Sequence, residues 1–148
     1  MKSTKLSDLS AMGQSPWYDN IDRRLIENGE LQSLFDLGVT GVTSNPSIFE
    51  KAVKGSDIYD DLIKIHARNG ESTLDIYDAI TVQDVQSAAD MLSDTYRNSD
   101  GQDGYVSLEV LPDLAYETDK TVENAKDLWA KVSRPNLMIK VPGTAAGY

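Results

Sequence analysis

Apolar positions along the chain change period several times, and each change marks a switch between strand and helix. Four short runs have strand character: Pro16-Trp17-Tyr18-Asp19, Val39 to Thr43, Tyr105 to Val110, and Leu137 to Val141. Helical spacing fills the intervals. Asp22 to Leu37 carries Leu25, Leu31, Leu34 and Phe35, with Gly29 expected to divide the helix and Gly38 to stop it. Ser47 to Asn98 reads as a long helical excursion with two capping-box starts, Ser72-Thr73-Leu74-Asp75 and Thr81-Val82-Gln83-Asp84. The second has the stronger support, because Val82, Val85, Ala89, Leu92 and Tyr96 follow it as one apolar stripe. A last helix, Asp119 to Val132, places Val122, Ala125, Trp129 and Val132 on one face and ends before Pro135. Strands alternating with helices predict α/β architecture built on parallel strands. The polar stretch Asn98 to Gly104 reads as a turn rather than a domain boundary, and no repeat or low-complexity tract interrupts the pattern.

Composition narrows the function classes. The 148 residues suffice for one core, with 40% hydrophobic and 26% charged residues, as in ordinary globular chains. A net charge of −10 argues against nucleic acid or an anionic membrane surface as partner, since both demand a basic face. There is no cysteine, which excludes disulfides, thiolate nucleophiles and iron–sulfur clusters. Met1 to Ser10 is too polar for a signal-peptide apolar region, and no apolar run approaches membrane-spanning length, so a cytoplasmic location is expected.

In α/β barrels the reactive groups gather where strands run into the following loops. The polar residues at those points are Asp19, the Thr43-Ser44-Asn45 segment, Glu109 and Lys140. Lys140 interrupts an apolar run, Leu137 to Val141, where desolvation would favour a neutral amine nucleophile; the same pattern also fits a lysine on a solvent-facing strand. Asp19 alone fits a solvated loop acid or a helix cap. Glu109 is read as sharing the face of Val106 and Leu108, with Ser107 turned the other way, and an acid so placed needs a partner that Lys140 could supply, structurally or catalytically. Asn98, Asp100, Gln102 and Glu109 match a calcium-loop count at positions one, three, five and twelve, but the sixth position, glycine in such loops, is Asp103, and a strand-like run follows. His66 lies on the polar side of a helical segment with no second histidine, which points to a surface role. No Walker loop, dinucleotide fingerprint or nucleophile elbow is present.

Four blocks, taken together, carry a resemblance: Trp17-Tyr18-Asp19-Asn20, GVTSNPSIFEKA from Gly41 to Ala52, GYVSLEV from Gly104 to Val110, and RPNLMIKVPGT from Arg134 to Thr144. In this order and spacing they resemble the transaldolase family, in the bacterial branch with Thr-Ser-Asn-Pro in the second block. The resemblance implies a (β/α)8 TIM barrel that transfers a dihydroxyacetone unit from fructose 6-phosphate or sedoheptulose 7-phosphate to an aldose phosphate, within the pentose phosphate pathway. It implies no metal and no cofactor, and sugar phosphates as the partners. Lys140 matches the Schiff-base lysine, Asp19 the acid/base beside the cleaved bond, and Glu109 the carboxylate that moves protons through a water molecule. Asn45, Ser107 and Thr43 match positions near bound dihydroxyacetone, with Asn45 ranked above Ser107.

A barrel of this type takes about 250 residues and at least 200. The expectation is therefore a lead-in over residues 1–14 and, over 15–148, the N-terminal half of the barrel with about the first four β/α units. The family's phosphate-binding arginine is expected outside this stretch. Open barrel edges would favour self-association. Two alternatives stand beside transaldolase activity: a fructose-6-phosphate-type aldolase of the same Schiff-base class, and a non-catalytic half-barrel that needs a second copy or a complementary half.

Overall fold

Each strand of the sheet is shorter than or equal to the run that predicts it, and the sheet is parallel throughout. The structure, a computed structural model, describes residues 4–148. Strands β1 (Trp17–Tyr18), β2 (Gly41–Val42), β3 (Val106–Glu109) and β4 (Leu137–Lys140) lie in the order β1-β2-β3-β4, each beside the one before it in sequence. Parallel neighbours need crossovers, and the helices supply them. This is α/β architecture with the strand order of consecutive barrel units, as expected.

Register fixes which side chains share a face. Tyr18 pairs with Val42, Val42 with Val106, and Val106 with Leu137, so these residues form one row across all four strands. Val42, Val106, Leu108, Val110 and Leu137 are buried on the helix-covered side, with Tyr18 and Ile139 packed against them. Period two puts Trp17, Gly41, Ser107, Met138, Glu109 and Lys140 on the opposite face. Met138 is 43% exposed, so that face is not part of the core. Any side chain at Gly41 would fall inside the Trp17 indole, and the glycine lets that ring lie against β2.

The helices are α1 (Lys5–Ala11), α2 (Arg23–Glu27), α3 (Glu30–Asp36), α4 (Pro46–Lys54), α5 (Asp60–Arg68), α6 (Thr73–Met91), α7 (Ser93–Asn98) and α8 (Thr118–Val132). Helix α1 falls within the expected lead-in 1–14, of which residues 1–3 lie outside the described residues. Gly29, in a left-handed conformation, divides α2 from α3 as anticipated. The core is formed by the sheet's apolar face together with Val85, Ala88, Ala89 and Leu92 from α6 and its C-cap and Leu128 and Val132 of α8. No helix among the described residues is long and apolar enough to cross a membrane.

Two local expectations are overturned. The capping box that starts a helix is Ser72 with Asp75, whereas Thr81 and Asp84 lie inside the unbroken α6. Thr81 donates its hydroxyl to the Asp78 carbonyl, and Asp84 is held by Arg23 and Tyr59 instead of by a helix start. A capping sequence starts a helix only where the preceding residues leave the helical conformation, and here they do not. On α8 the buried row is Thr121, Leu128 and Val132, while Val122 and Trp129 are roughly half exposed. Thr121 is buried because its hydroxyl donates to the Leu114 carbonyl at 2.8 Å, a satisfaction that an apolar pattern does not register.

The turn after α7 delivers the chain into β3. Gly104 has φ +84°, and a β-carbon there would run into the backbone at Tyr96. Asn136 then ties the entry of β4 to both neighbours, donating to the Ala89 carbonyl at 2.8 Å and the Gly104 carbonyl at 2.9 Å. Arg134 grips Asp90 of α6 through Nε at 2.6 Å and Nη2 at 2.9 Å.

Two carboxylates make the fold acid-sensitive. Burial pushes the Asp22 carboxyl up, but side-chain and backbone hydrogen bonds from Arg24 outweigh it and hold the group below its ordinary value. Hydrogen bonding from Arg134 holds Asp90 down likewise. Groups lowered in this way bind protons less tightly folded than unfolded. Their contribution is complete above the ordinary aspartate value of about 3.9 and is lost as the pH falls through the lowered one. Asp84 acts in the opposite sense, because burial above all raises its carboxyl despite Arg23 and Tyr59. The urea midpoint should therefore fall between about pH 5 and about pH 2, and fall less in Arg134→Ala; equal acid limbs would remove Asp90 from this account.

Candidate active site

The carboxyl ends of β2, β3 and β4 converge on Lys140. In the sheet register Lys140 lies beside Glu109, and its Nζ stands 3.1 Å from Glu109 Oε2. The same ammonium donates to the Ser44 carbonyl at 2.8 Å, just past the end of β2, so the side chain reaches across β3. The Lys140 side chain remains 41% exposed, against the expectation of a desolvated amine. The cause is its face: residues two apart share a side of the strand, and Met138 on that side is also open.

The same period corrects the reading of β3. Glu109 shares its face with Ser107, two residues away, while Val106 and Leu108 point into the core on the other side. Ser107 is therefore on the Lys140 side of the sheet. Its hydroxyl donates to Thr43 Oγ1 at 2.9 Å, which places Thr43 and Ser107 as adjacent hydroxyls across β2 and β3.

Asn45 is the N-cap of α4, its Oδ1 accepting from the Ile48 amide at 3.0 Å, with Pro46 in the first helical turn. That bond fixes the amide's orientation. The nitrogen end is left as a donor with no protein partner among the described residues. Asp19 follows β1 directly and is exposed. The adjacent Tyr18 carbonyl accepts from the Thr43 amide at 3.0 Å, so Asp19 and Thr43 end neighbouring strands. Asp19 forms no hydrogen bond or ion pair with any described residue, and so it joins the group by strand position and not by contact.

Ser44, within the Thr43-Ser44-Asn45 segment, has a part that its place in the sequence alone did not specify. Ser44 is fully buried, and its hydroxyl donates to the Ser107 carbonyl at 2.7 Å while its own carbonyl holds Lys140. Alternation from Val42 puts Ser44 on the apolar face, and a hydroxyl there needs a backbone acceptor on the next strand; that was the available signal. No group of three or more His, Asp or Glu residues among those described is arranged to hold a metal ion.

A lysine paired with a carboxylate at the carboxyl edge of parallel β/α units, with hydroxyls and an amide beside it, is an arrangement suited to carbonyl chemistry on a polyhydroxylated substrate. The family profile described as Transaldolase/Fructose-6-phosphate aldolase matches residues 16–148, and the chain belongs to that TIM-barrel family. A protein named Transaldolase from Thiobacillus denitrificans is 48% identical over 143 residues, covering 95% of this chain and 39% of that protein. The Transaldolase of Trichodesmium erythraeum is 40% identical over 148 residues, covering 99% and 39%. That of Neisseria gonorrhoeae is 44% identical over 144 residues, covering 97% and 41%. The chain thus spans about two fifths of the length of the curated relatives it matches.

Ser44→Ala removes the buried bond to the Ser107 carbonyl without adding bulk. It should lower the unfolding free energy by about 1 kcal/mol in a urea titration; a change under about 0.3 kcal/mol would mean the bond contributes nothing net.

Proposed function

We propose that this chain carries the imine-forming part of a transaldolase site. The observation that carries the reading is the Lys140–Glu109 pair, 3.1 Å apart at the ends of adjacent parallel strands. Lys140 in its neutral form attacks the ketose carbonyl of fructose 6-phosphate or sedoheptulose 7-phosphate. Glu109, through a water molecule, delivers the proton that lets the carbinolamine oxygen leave as water, giving an iminium ion. Asp19 takes the proton of the hydroxyl next to the bond that breaks. The bond's electrons pass into the iminium, the aldose phosphate departs, and the enamine of dihydroxyacetone stays on Lys140 until an acceptor aldose phosphate adds to it. The iminium serves as electron sink, so the chemistry calls for no metal or organic cofactor.

Binding follows from the same edge. The free Asn45 amide nitrogen is the first donor to the dihydroxyacetone hydroxyls, and Ser107 and Thr43 present a hydroxyl pair beside it. In this reading residues 15–148 are the first four β/α units of the barrel and act on sugar phosphates of the pentose phosphate pathway in the cytoplasm. The open face bearing Met138 and Lys140 is where a second copy or a complementary half would associate. The family description also names fructose-6-phosphate aldolase, and release of free dihydroxyacetone to water would assign that activity instead.

Borohydride reduction in the presence of fructose 6-phosphate, followed by peptide mass mapping, should label Lys140. Lys140→Arg should abolish the label with the fold retained, and Glu109→Gln should slow labelling about a hundredfold. No adduct, or adducts scattered over surface lysines, would defeat the catalytic reading of this chain.

A further inference from the structure

Asp19 is the one proposed catalytic group with no hydrogen bond or ion pair to a described side chain, so its place is held through the segment that follows it. Strand β1 is two residues long, and past the bond between the Thr43 amide and the Tyr18 carbonyl the segment Asp19 to Asp22 leaves the sheet. Ile21 is fully buried in the core and Asp22 caps α2, yet neither reaches the strands that carry Glu109 and Lys140 by a polar bond. The next residue does the reaching. The Arg23 amide donates to the Tyr59 hydroxyl at 2.9 Å, and that hydroxyl donates to Asp84 Oδ2 at 2.8 Å. Arg23 Nε donates to the other oxygen, Asp84 Oδ1, at 2.7 Å, and Nη2 to Gln83 at 2.9 Å. The guanidinium carbon also stands 4.9 Å from the centre of the Tyr59 ring.

This ring of bonds is buried: Tyr59 is 0% and Asp84 1% exposed. Both Asp84 oxygens are satisfied, by a cation and a phenol, which is the condition under which a buried carboxylate is tolerated. Burial foremost raises the Tyr59 hydroxyl well above the ordinary phenol value, so it stays a donor. Asp84 precedes Val85, which packs with Val106 and Leu108 of β3 in one core. The chain of contacts therefore runs from the segment after Asp19, through Tyr59 and Asp84, to the helix that backs the strand bearing Glu109.

We infer that Tyr59, Asp84 and Arg23 form a buried clamp that positions Asp19 relative to Glu109 and Lys140 for cleavage of the carbon–carbon bond, without touching the substrate. The inference rests on the proposed function for Asp19. It separates the two halves of the reaction: imine formation at Lys140 needs Glu109 but not Asp19, whereas bond cleavage needs Asp19. A clamp defect should therefore spare the first and slow the second.

The test compares the parent chain with Tyr59→Phe, which removes one hydroxyl and keeps the ring under Arg23; Asp84→Asn, which keeps size and an acceptor, replaces it if the first variant does not fold. Imine formation is read by borohydride trapping with dihydroxyacetone alone, cleavage by release of glyceraldehyde 3-phosphate from fructose 6-phosphate with erythrose 4-phosphate present to accept the dihydroxyacetone unit, and loop order by nitrogen-15 relaxation at Asp19 and Asn20. Trapping should stay within about twofold while cleavage falls about tenfold or more at unchanged KM, and Asp19 and Asn20 should gain fast motion. Unchanged cleavage, or trapping and cleavage falling in parallel, overturns the positioning role. If the parent chain traps no dihydroxyacetone, the proposed function fails and the clamp's role in cleavage falls with it; relaxation then judges only its hold on the segment, which unchanged motion at Asp19 and Asn20 overturns and increased motion upholds.

Discussion

The in-register parallel pairing of β3 with β4 is the constraint on which the rest of this structure depends. It sets Val106 against Leu137 and Glu109 against Lys140 in one stroke. Because side chains alternate strictly along a strand, a slip of one residue would expose the apolar set and bury the ion pair. The core formed with α6 and α8 thus selects the register, and the register places the lysine beside the carboxylate. Hydrophobic packing on one face is what makes the geometry on the other face reproducible.

The ion pairs divide into two kinds. Arg23 with Asp84 and Arg24 with Asp22 each join a basic group to a buried or nearly buried carboxylate. Arg134 with Asp90 fastens the segment before β4 to α6. Removing one partner of a buried pair leaves a charge with no compensation, which costs several kcal/mol by the usual magnitude. Lys140 with Glu109, at 41% and 22%, and Arg134 with Asp90, at 33% and 57%, differ, since both side chains of each pair keep solvent contact. Solvent-screened pairs contribute at most about 1 kcal/mol. The Lys140–Glu109 pair is consequently separable from the stability of the fold, whereas the buried Arg23–Asp84 pair is not.

Much of this was legible in the sequence. The four strands, the division at Gly29, the Ser72 cap and the α/β class follow from local propensity and period, which act over a few residues. The blocks around Asp19, Asn45, Glu109 and Lys140 carried the family, which the profile match over residues 16–148 bears out. Three departures share a cause, polar partners that the local pattern does not register. Thr81-Val82-Gln83-Asp84 has the letters of a helix start, but Asp84 is occupied by Arg23 and Tyr59, far away in the chain. Thr121 is buried through the Leu114 carbonyl, so the apolar face of α8 sits one position off the one its hydrophobic residues suggest. Ser44 bonds the next strand's backbone in the same way. Glu109 departs for a different reason: residues two apart share a side of a strand, which sets it with Ser107 and opposite Val106 and Leu108.

The strand order β1-β2-β3-β4 also bears on how the protein is made. Each strand emerging from a ribosome finds the previous one already available as an edge, so the sheet can grow in the direction of synthesis without waiting for a distant partner. Lys140 ends the fourth strand, and its bonds to Glu109 and to the Ser44 carbonyl exist only once that strand has docked. Until then the nascent chain has the carboxylate and the hydroxyls in place but no amine among them. Among the polar groups that these four strands carry, the amine arrives after the carboxylate and hydroxyls it bonds.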